Sequence, residues 1–326
     1  MSHAVEPLSV PPLPAELRKS TLLGTKVTLP TSMGHIDISA LSESDKETLC
    51  SGLFENGVVV IRNQQGLDPN VVPQLGRFFD AAAWDIHSGG EKMVTDEKNI
   101  LSVNRGARVP RAQQVSVIGK GRFLGHEGIE ELDLKQVSHT KFHETPLSAE
   151  EIGQGFTRPY RWHMDAPLYE RLPGFVTSLH ALRVPDGEIV DIPAGATTFY
   201  SGARAFQIRR EEEEGFALNT LVRYAPRVYG WMLDCKATDD ALTIAKVGKE
   251  KKLHELPEWS WDKMVWKNAH NGEPHLQVLG ACLYELHTTD LITGELNGPS
   301  SDDDPEARLL WQCTMASSTA PVSYRQ

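Results

Sequence analysis

The sequence predicts a mainly β protein with flanking helices, and three patterns carry that reading. Apolar residues at helical spacing are concentrated early in the chain. Short β-branched or strand-like runs dominate after residue 160, and Asn271-Gly272 supplies the strongest hairpin turn. The chain has 326 residues, 40 % of them hydrophobic and 24 % charged, which is ordinary globular composition. A barrel or sandwich of that length forms a single domain without difficulty. The expected division is an extended, proline-bearing lead-in over residues 1–35 and one domain over residues 36–326.

In chain order, Pro7, Pro11, Pro12, Pro14 and Pro30 mark the lead-in, which either runs free or packs along the domain surface. Residues 42–55 fit a helix that ends near Asn56-Gly57. Val58-Val59-Val60-Ile61 is a β-branched run that suits a buried strand. Residues 68–83 return to helical spacing through Val71, Val72, Leu75, Phe78 and Phe79. Residues 85–155 are polar and glycine-rich and read as irregular, with a strand around 114–118. Residues 175–184 are strand-like, and 194–201 lead from a turn into another short segment. Glu211-Glu212-Glu213-Glu214 is a solvated helix or loop face. Trp266-Lys267 and Leu276-Gln277-Val278-Leu279 flank the Asn271-Gly272 turn as a hairpin. Residues 300–304 form an acidic loop and 306–312 a helix. No internal repeat is present.

Several function classes fall away. No run approaches the roughly 18 apolar residues of a membrane helix, and the N-terminus has no apolar signal core. Cys50, Cys235, Cys282 and Cys313 show no paired spacing, against a disulfide framework or zinc knuckle and in keeping with a reducing cytosol. A net charge of −11 without a basic stripe argues against nucleic acid. The expectation is a cytoplasmic protein whose partner is a small molecule.

The chemical signal is Arg161-Trp162-His163-Met164-Asp165. In a strand, residues two apart share a face, so one metal ion can contact both His163 and Asp165. An imidazole and a carboxylate together suit Fe(II), Mn(II) or Zn(II), and two histidines with one carboxylate leave positions open for oxygen. The motif by itself also fits an exposed polar loop or a histidine capped by a carboxylate.

Wider stretches carry a family resemblance. Tyr160-Arg161-Trp162-His163-Met164-Asp165-Ala166-Pro167 resembles the metal-binding strand of the taurine dioxygenase-type Fe(II)/2-oxoglutarate-dependent dioxygenases. Asn56-Gly57-Val58-Val59-Val60-Ile61-Arg62-Asn63-Gln64 resembles that family's first core strand. Pro193-Ala194-Gly195-Ala196-Thr197-Thr198-Phe199-Tyr200-Ser201-Gly202 is similar to its Gly-Gly-Asp-Thr-aromatic turn. Trp266-Lys267-Asn268 through Gly272 to Leu276 resembles its later hairpin, and Ile292-Thr293-Gly294 its I-x-G stretch. The wording around His163 and in Met264-Val265-Trp266-Lys267-Asn268 is similar to the fungal xanthine dioxygenase branch.

The resemblance implies a double-stranded β-helix (jelly roll), with Fe(II), 2-oxoglutarate and O2 as cofactors and succinate and CO2 as co-products. It makes His163 and Asp165 metal ligands. Thr197 becomes the hydrogen-bonding partner of the far carboxylate of 2-oxoglutarate, although Ala196 stands where the family has Asp. The family's second ligand histidine and its 2-oxoglutarate-binding arginine belong to a Trp-x-x-Gly-Asp segment that this sequence lacks. Residues 320–326 resemble the stretch just before it, so the C-terminal strands of the family are expected to be missing. Three explanations are open: a shortened product of an active enzyme, a diverged protein that binds iron poorly, or substitution by His270, His275 or His287. A chain complete at this length is expected to be poorly stable or inactive, with sheet edges exposed.

Gln113, Gln114 and Lys120 fall where the family places its substrate-contacting lid, and would hydrogen-bond a polar heterocycle such as a purine or face solvent. Gly119-Lys120-Gly121 with Gly125 lacks a phosphate-loop ending and reads as a turn. His126 reads as surface or lid packing, as do His139 and His143, which would bind metal only on a helix; Arg223, Tyr224 and Arg227 read as surface charge or anion contacts, and Trp162 as a shield beside the metal. The reading is a 2-oxoglutarate-dependent dioxygenase acting on xanthine or another small polar metabolite. The alternatives are a secondary-metabolite oxidase (desaturation or ring closure) and a non-catalytic homologue that binds a ligand or partner.

Overall fold

The computed structural model of the chain describes residues 6–19, 21, 23–83, 107–119, 121–134, 143–153, 175–184, 197, 199–224, 236–237, 244–246, 261–278 and 283–300. Within them the protein is strand-rich with short helices around three apolar clusters.

The first cluster is N-terminal. After a single turn of helix, α1 (Ala15–Arg18), strand β1 (Thr25–Val27) pairs in parallel with β2 (Val59–Ile61), Thr25 opposite Val59. Helix α2 (Glu43–Asn56) crosses between them, as a parallel connection requires. Its start is written in the sequence: the Ser42 hydroxyl accepts from the Asp45 amide, and the Asp45 carboxylate accepts from the Ser42 amide, a capping box. The same carboxylate accepts the amide of Leu8 at 2.8 Å, which fastens the N-terminal segment to the helix. Gly57 ends the helix in the left-handed region (φ 68°), with its amide donated to Leu53 O at 2.7 Å. Leu8, Val27, Ile36, Leu41, Leu49 and Leu67 are buried together here. Two of these, Leu8 and Val27, come from residues 1–35. The β-branched run at 58–61 is less buried than its composition suggests, and Val60 is exposed: among the described residues β2 has only one strand beside it. Helix α3 (Val71–Phe79) is shorter than the helical spacing over 68–83 predicts. Asp68 turns the chain before it, its carboxylate accepting the Asn70 amide at 2.9 Å.

Residues 107–134 correct the expectation of irregular chain over 85–155. They form two antiparallel hairpins, β3 (Ala107–Val109) with β4 (Ala112–Val117), and β5 (Gly121–His126) with β6 (Ile129–Leu134). The second turns at Glu127-Gly128, both with positive φ (51° and 88°), the geometry that matches the twist of a tight hairpin. Val109, Ala112, Val117, Ile129 and Leu134 are buried between the hairpins. The strand expected around 114–118 is present as β4; the other three were not expected, because exposed polar residues separate their few apolar ones.

After the short helix α4 (Ala149–Gly153), the stretch 175–184 has no ladder, contrary to its strand-like composition. Phe175, Leu179 and Leu182, its large apolar side chains, are exposed there and fill no core. Helices α5 (Gly202–Gln207) and α6 (Glu211–Leu218) then precede β7 (Thr220–Tyr224). Ser201 starts α5, its hydroxyl accepting from the Arg204 amide. In α6 the glutamate run puts Glu211 and Glu212 in solvent, as its composition predicts. The strands β8 (Lys236–Ala237) and β9 (Ile244–Lys246) pair with each other. Then β10 (Trp261–Lys263), β7, β13 (Leu283–Thr289) and β14 (Leu296–Ser300) build an antiparallel sheet in the order β10-β7-β13-β14. Between β10 and β13 lies the hairpin β11 (Val265–Lys267) and β12 (Pro274–Leu276), with Trp266 opposite His275, at the place its Asn-Gly turn predicts. Ala205, Phe206, Ala217, Val222, Tyr224, Met264, Leu276 and Leu286 form the cluster where α5 and α6 cover these strands. Residues 301–312, expected as acidic loop and helix, lie outside the described residues.

Candidate functional site

His163, Asp165 and Lys120, three of the six residues singled out from the sequence, lie outside the described residues. Gln113 and Gln114 sit side by side on β4 with both side chains exposed. Arg108, on the facing strand, donates through Nη1 to their two carbonyl oxygens at 3.2 and 3.3 Å. The main chain is thereby held while both amide side chains remain outward. Lower in the same module, Arg111 pairs with Glu127 and lies 3.6 Å from Asp68, which joins the hairpins to the N-terminal cluster.

Thr197 is exposed. The residues just after it are tightly placed. At Gly202 a Cβ would lie 2.6 Å from the carbonyl oxygen of Leu276 and 3.5 Å from the Cβ of His275. Glycine is needed here for close approach, since no positive φ is involved. The head of α5 therefore rests directly on β12, and Gln207 at its far end donates to Glu273 at 2.7 Å. Burial pushes the Tyr200 phenol above its ordinary value. On β10 it does the same to the half-buried Asp262 carboxyl.

The three histidines weighed as replacement ligands separate clearly. His270 is exposed, its ring stacked on Phe54 at 5.5 Å between centroids and 15° between planes. His287 places Nε2 at 3.3 Å from a Glu285 oxygen, which Arg223 also contacts at 3.3 Å. His275 differs from both, because its Nε2 is buried without a hydrogen-bond partner. Desolvation lowers its pKa, with the nearby Glu273 charge opposing, so the ring is held neutral. A neutral imidazole is the form that binds metal or accepts a proton. Among the described residues no group of three or more His, Cys, Asp or Glu side chains is placed to hold a metal ion. The donor chemistry of His163 and Asp165, an imidazole with a carboxylate, nonetheless fits Fe(II).

A family model, the taurine catabolism dioxygenase TauD, TfdA family, matches residues 21–281. The chain belongs to this family. The match takes in the His163-x-Asp165 pair, Thr197 and the 266–276 hairpin, and this TauD/TfdA member is a 2-oxoglutarate-dependent dioxygenase by that membership. Among curated proteins it is 35 % identical over 272 residues to the alpha-ketoglutarate-dependent xanthine dioxygenase of Emericella nidulans, covering 78 % of this chain and 72 % of the relative. The protein of the same description in Neurospora crassa is 33 % identical, covering 82 % of this chain and 68 % of the relative. That of Schizosaccharomyces pombe is 32 % identical, covering 85 % and 70 %. The family implies a jelly roll, and the described residues are strand-rich with few helices. No helix among the described residues is long and apolar enough to cross a membrane.

Not foreseen from the sequence were the close approach at Gly202, the burial that sets His275 apart from His270 and His287, and the 175–184 contacts. For Gly202 a signal existed, a glycine directly after a serine cap with no turn to explain it. For His275 none existed, because burial of a single ring nitrogen leaves no pattern in one sequence.

Proposed function

We propose that this chain oxidises xanthine, or a purine of similar polarity, with 2-oxoglutarate as co-substrate. The observation that carries the proposal is the similarity at 32–35 % identity, over most of the chain, to three relatives named as xanthine dioxygenases. His163 and Asp165 hold the metal ion, within a double-stranded β-helix formed over residues 36–326 of a cytoplasmic protein. With Fe(II) bound, O2 and 2-oxoglutarate supply the oxidant and leave as succinate and CO2, one oxygen atom entering the substrate. The hydroxyl of Thr197 donates to the far carboxylate of 2-oxoglutarate. Gln113, Gln114 and Lys120 offer donors and acceptors to the edges of a flat heterocycle, and the exposure of both glutamine side chains leaves them available for that role. Trp162, beside His163 in sequence, shields the centre from bulk water.

The test is succinate formation from 2-oxoglutarate, with Fe(II) and ascorbate, across a panel of xanthine, other purines and unrelated small metabolites. Xanthine is expected to give succinate and hydroxylated product in a one-to-one ratio. Turnover confined to a non-purine would overturn the substrate assignment. Gln113→Ala with Gln114→Ala is expected to raise the KM for xanthine and leave that for 2-oxoglutarate unchanged.

A further inference from the structure

Residues 175–184 lie in the sequence between the metal pair and Thr197, and they run over the surface without a ladder. They are instead held at three points by three separate parts of the protein. At one end the Phe175 ring packs on Phe54 of α2, 5.3 Å between centroids. In the middle His180 places Nε2 at 2.8 Å from the carbonyl oxygen of Gln64, in the loop that follows β2. An oxygen acceptor there means that Nε2 carries the proton.

Gln64 itself is fixed on both sides. Its Oε1 accepts the Ile36 amide at 2.9 Å, and its Nε2 donates to Arg62 O at 2.8 Å. His180 thus ties down to an anchored residue of the N-terminal cluster, 116 positions away. At the other end the Arg183 guanidinium lies over the Phe123 ring at 5.9 Å. Phe123 belongs to β5, in the hairpin module that also carries Gln113 and Gln114.

We propose that residues 175–184 form a strap that sets the position of the β3–β6 hairpin module relative to the N-terminal cluster, with His180 and Arg183 as its positioning residues. Neither residue touches a reacting atom in this account. Each acts by holding the candidate substrate-contacting hairpins in place against the N-terminal cluster. The role of the strap in turnover rests on the dioxygenase reading above, whereas its mechanical role does not.

Two measurements separate these. In the metal-free protein, amide hydrogen exchange over residues 107–134 is expected to quicken several-fold in Arg183→Ala, with exchange in α6 and β7 unchanged. Unchanged exchange over the hairpins would overturn the strap whether or not the chain turns over. Phe123→Leu removes the ring and keeps an apolar side chain, and is expected to reproduce the effect.

In turnover, Arg183→Ala and His180→Ala are expected to uncouple the reaction. Succinate would exceed hydroxylated product several-fold, while succinate formation without substrate stays at the original rate. His180→Gln, which restores an N–H donor of similar reach, is expected to recover most of the coupling. A proportional fall of succinate and product together, or no recovery in a folded His180→Gln variant, would mean that these residues stabilise the fold without positioning the hairpins.

Discussion

Replacing Gly202 by alanine tests the packing beside the candidate 2-oxoglutarate turn, because two effects of opposite sign compete there. Alanine at the first helical position of α5 favours the helix by no more than about 1 kcal/mol. Against this, the new Cβ would lie 2.6 Å from the Leu276 carbonyl oxygen. That atom is backbone within a strand ladder and cannot rotate away. Forcing the two elements apart costs on the order of 1–3 kcal/mol for a small-to-large change in packed surroundings. The net effect is a loss of roughly 0.5–2 kcal/mol. With about 2–4 °C per kcal/mol for domains of moderate size, the midpoint of thermal unfolding falls by roughly 1–8 °C. Scanning fluorimetry or calorimetry on the purified variant reads this directly. A midpoint equal to or above that of the unaltered protein would mean that α5 does not lie against β12 as described.

Other outcomes follow from the same structure. Ser42→Ala removes the cap of α2, and a loss of about 1 kcal/mol in urea-unfolding free energy is expected; a change within error would mean that Asp45 alone holds the helix start. His275 is held neutral by burial, so its folded pKa lies below its unfolded one, near the ordinary 6.5. The unfolded chain therefore binds a proton more readily through that window. Stability is lost as pH falls below 6.5 toward the folded value, and is flat above it as far as this group is concerned. His275→Leu should remove that part of the slope and cost little at neutral pH, since it also removes a buried nitrogen without a partner. An unaltered slope in His275→Leu would show that another group titrates.

The parts of the fold that were legible from sequence are those with local chemistry. Ser42 and Asp45 mark the start of α2 and Gly57 its end, and Asn271-Gly272 marks the β11–β12 turn. The parts that were not legible depend on distant partners. Thr25–Val27 is a strand only because Val59–Ile61 lies beside it, and three residues carry no periodicity of their own. Over 107–134 only the strand around 114–118 was legible; its partners were hidden because β6 reads Ile-Glu-Glu-Leu-Asp-Leu, with only its two ends fully buried, and because Glu127-Gly128 is a less familiar turn pair than Asn-Gly. Residues 175–184 show the reverse error: their apolar content suggested a strand, yet three side-chain contacts hold them. For the site, His163-x-Asp165 stood out because strand geometry gives that spacing chemical meaning. The orphaned nitrogen of His275 is a property of packing and could not be read in advance.

Anaerobic titration of Fe(II) followed by calorimetry tests most directly whether His163 and Asp165 are metal ligands. One Fe(II) per chain is expected, with binding strengthened by 2-oxoglutarate and reduced at least tenfold in both His163→Ala and Asp165→Ala, while both variants keep the original unfolding midpoint of the metal-free protein. Iron affinity unchanged in folded His163→Ala and Asp165→Ala would contradict the assignment.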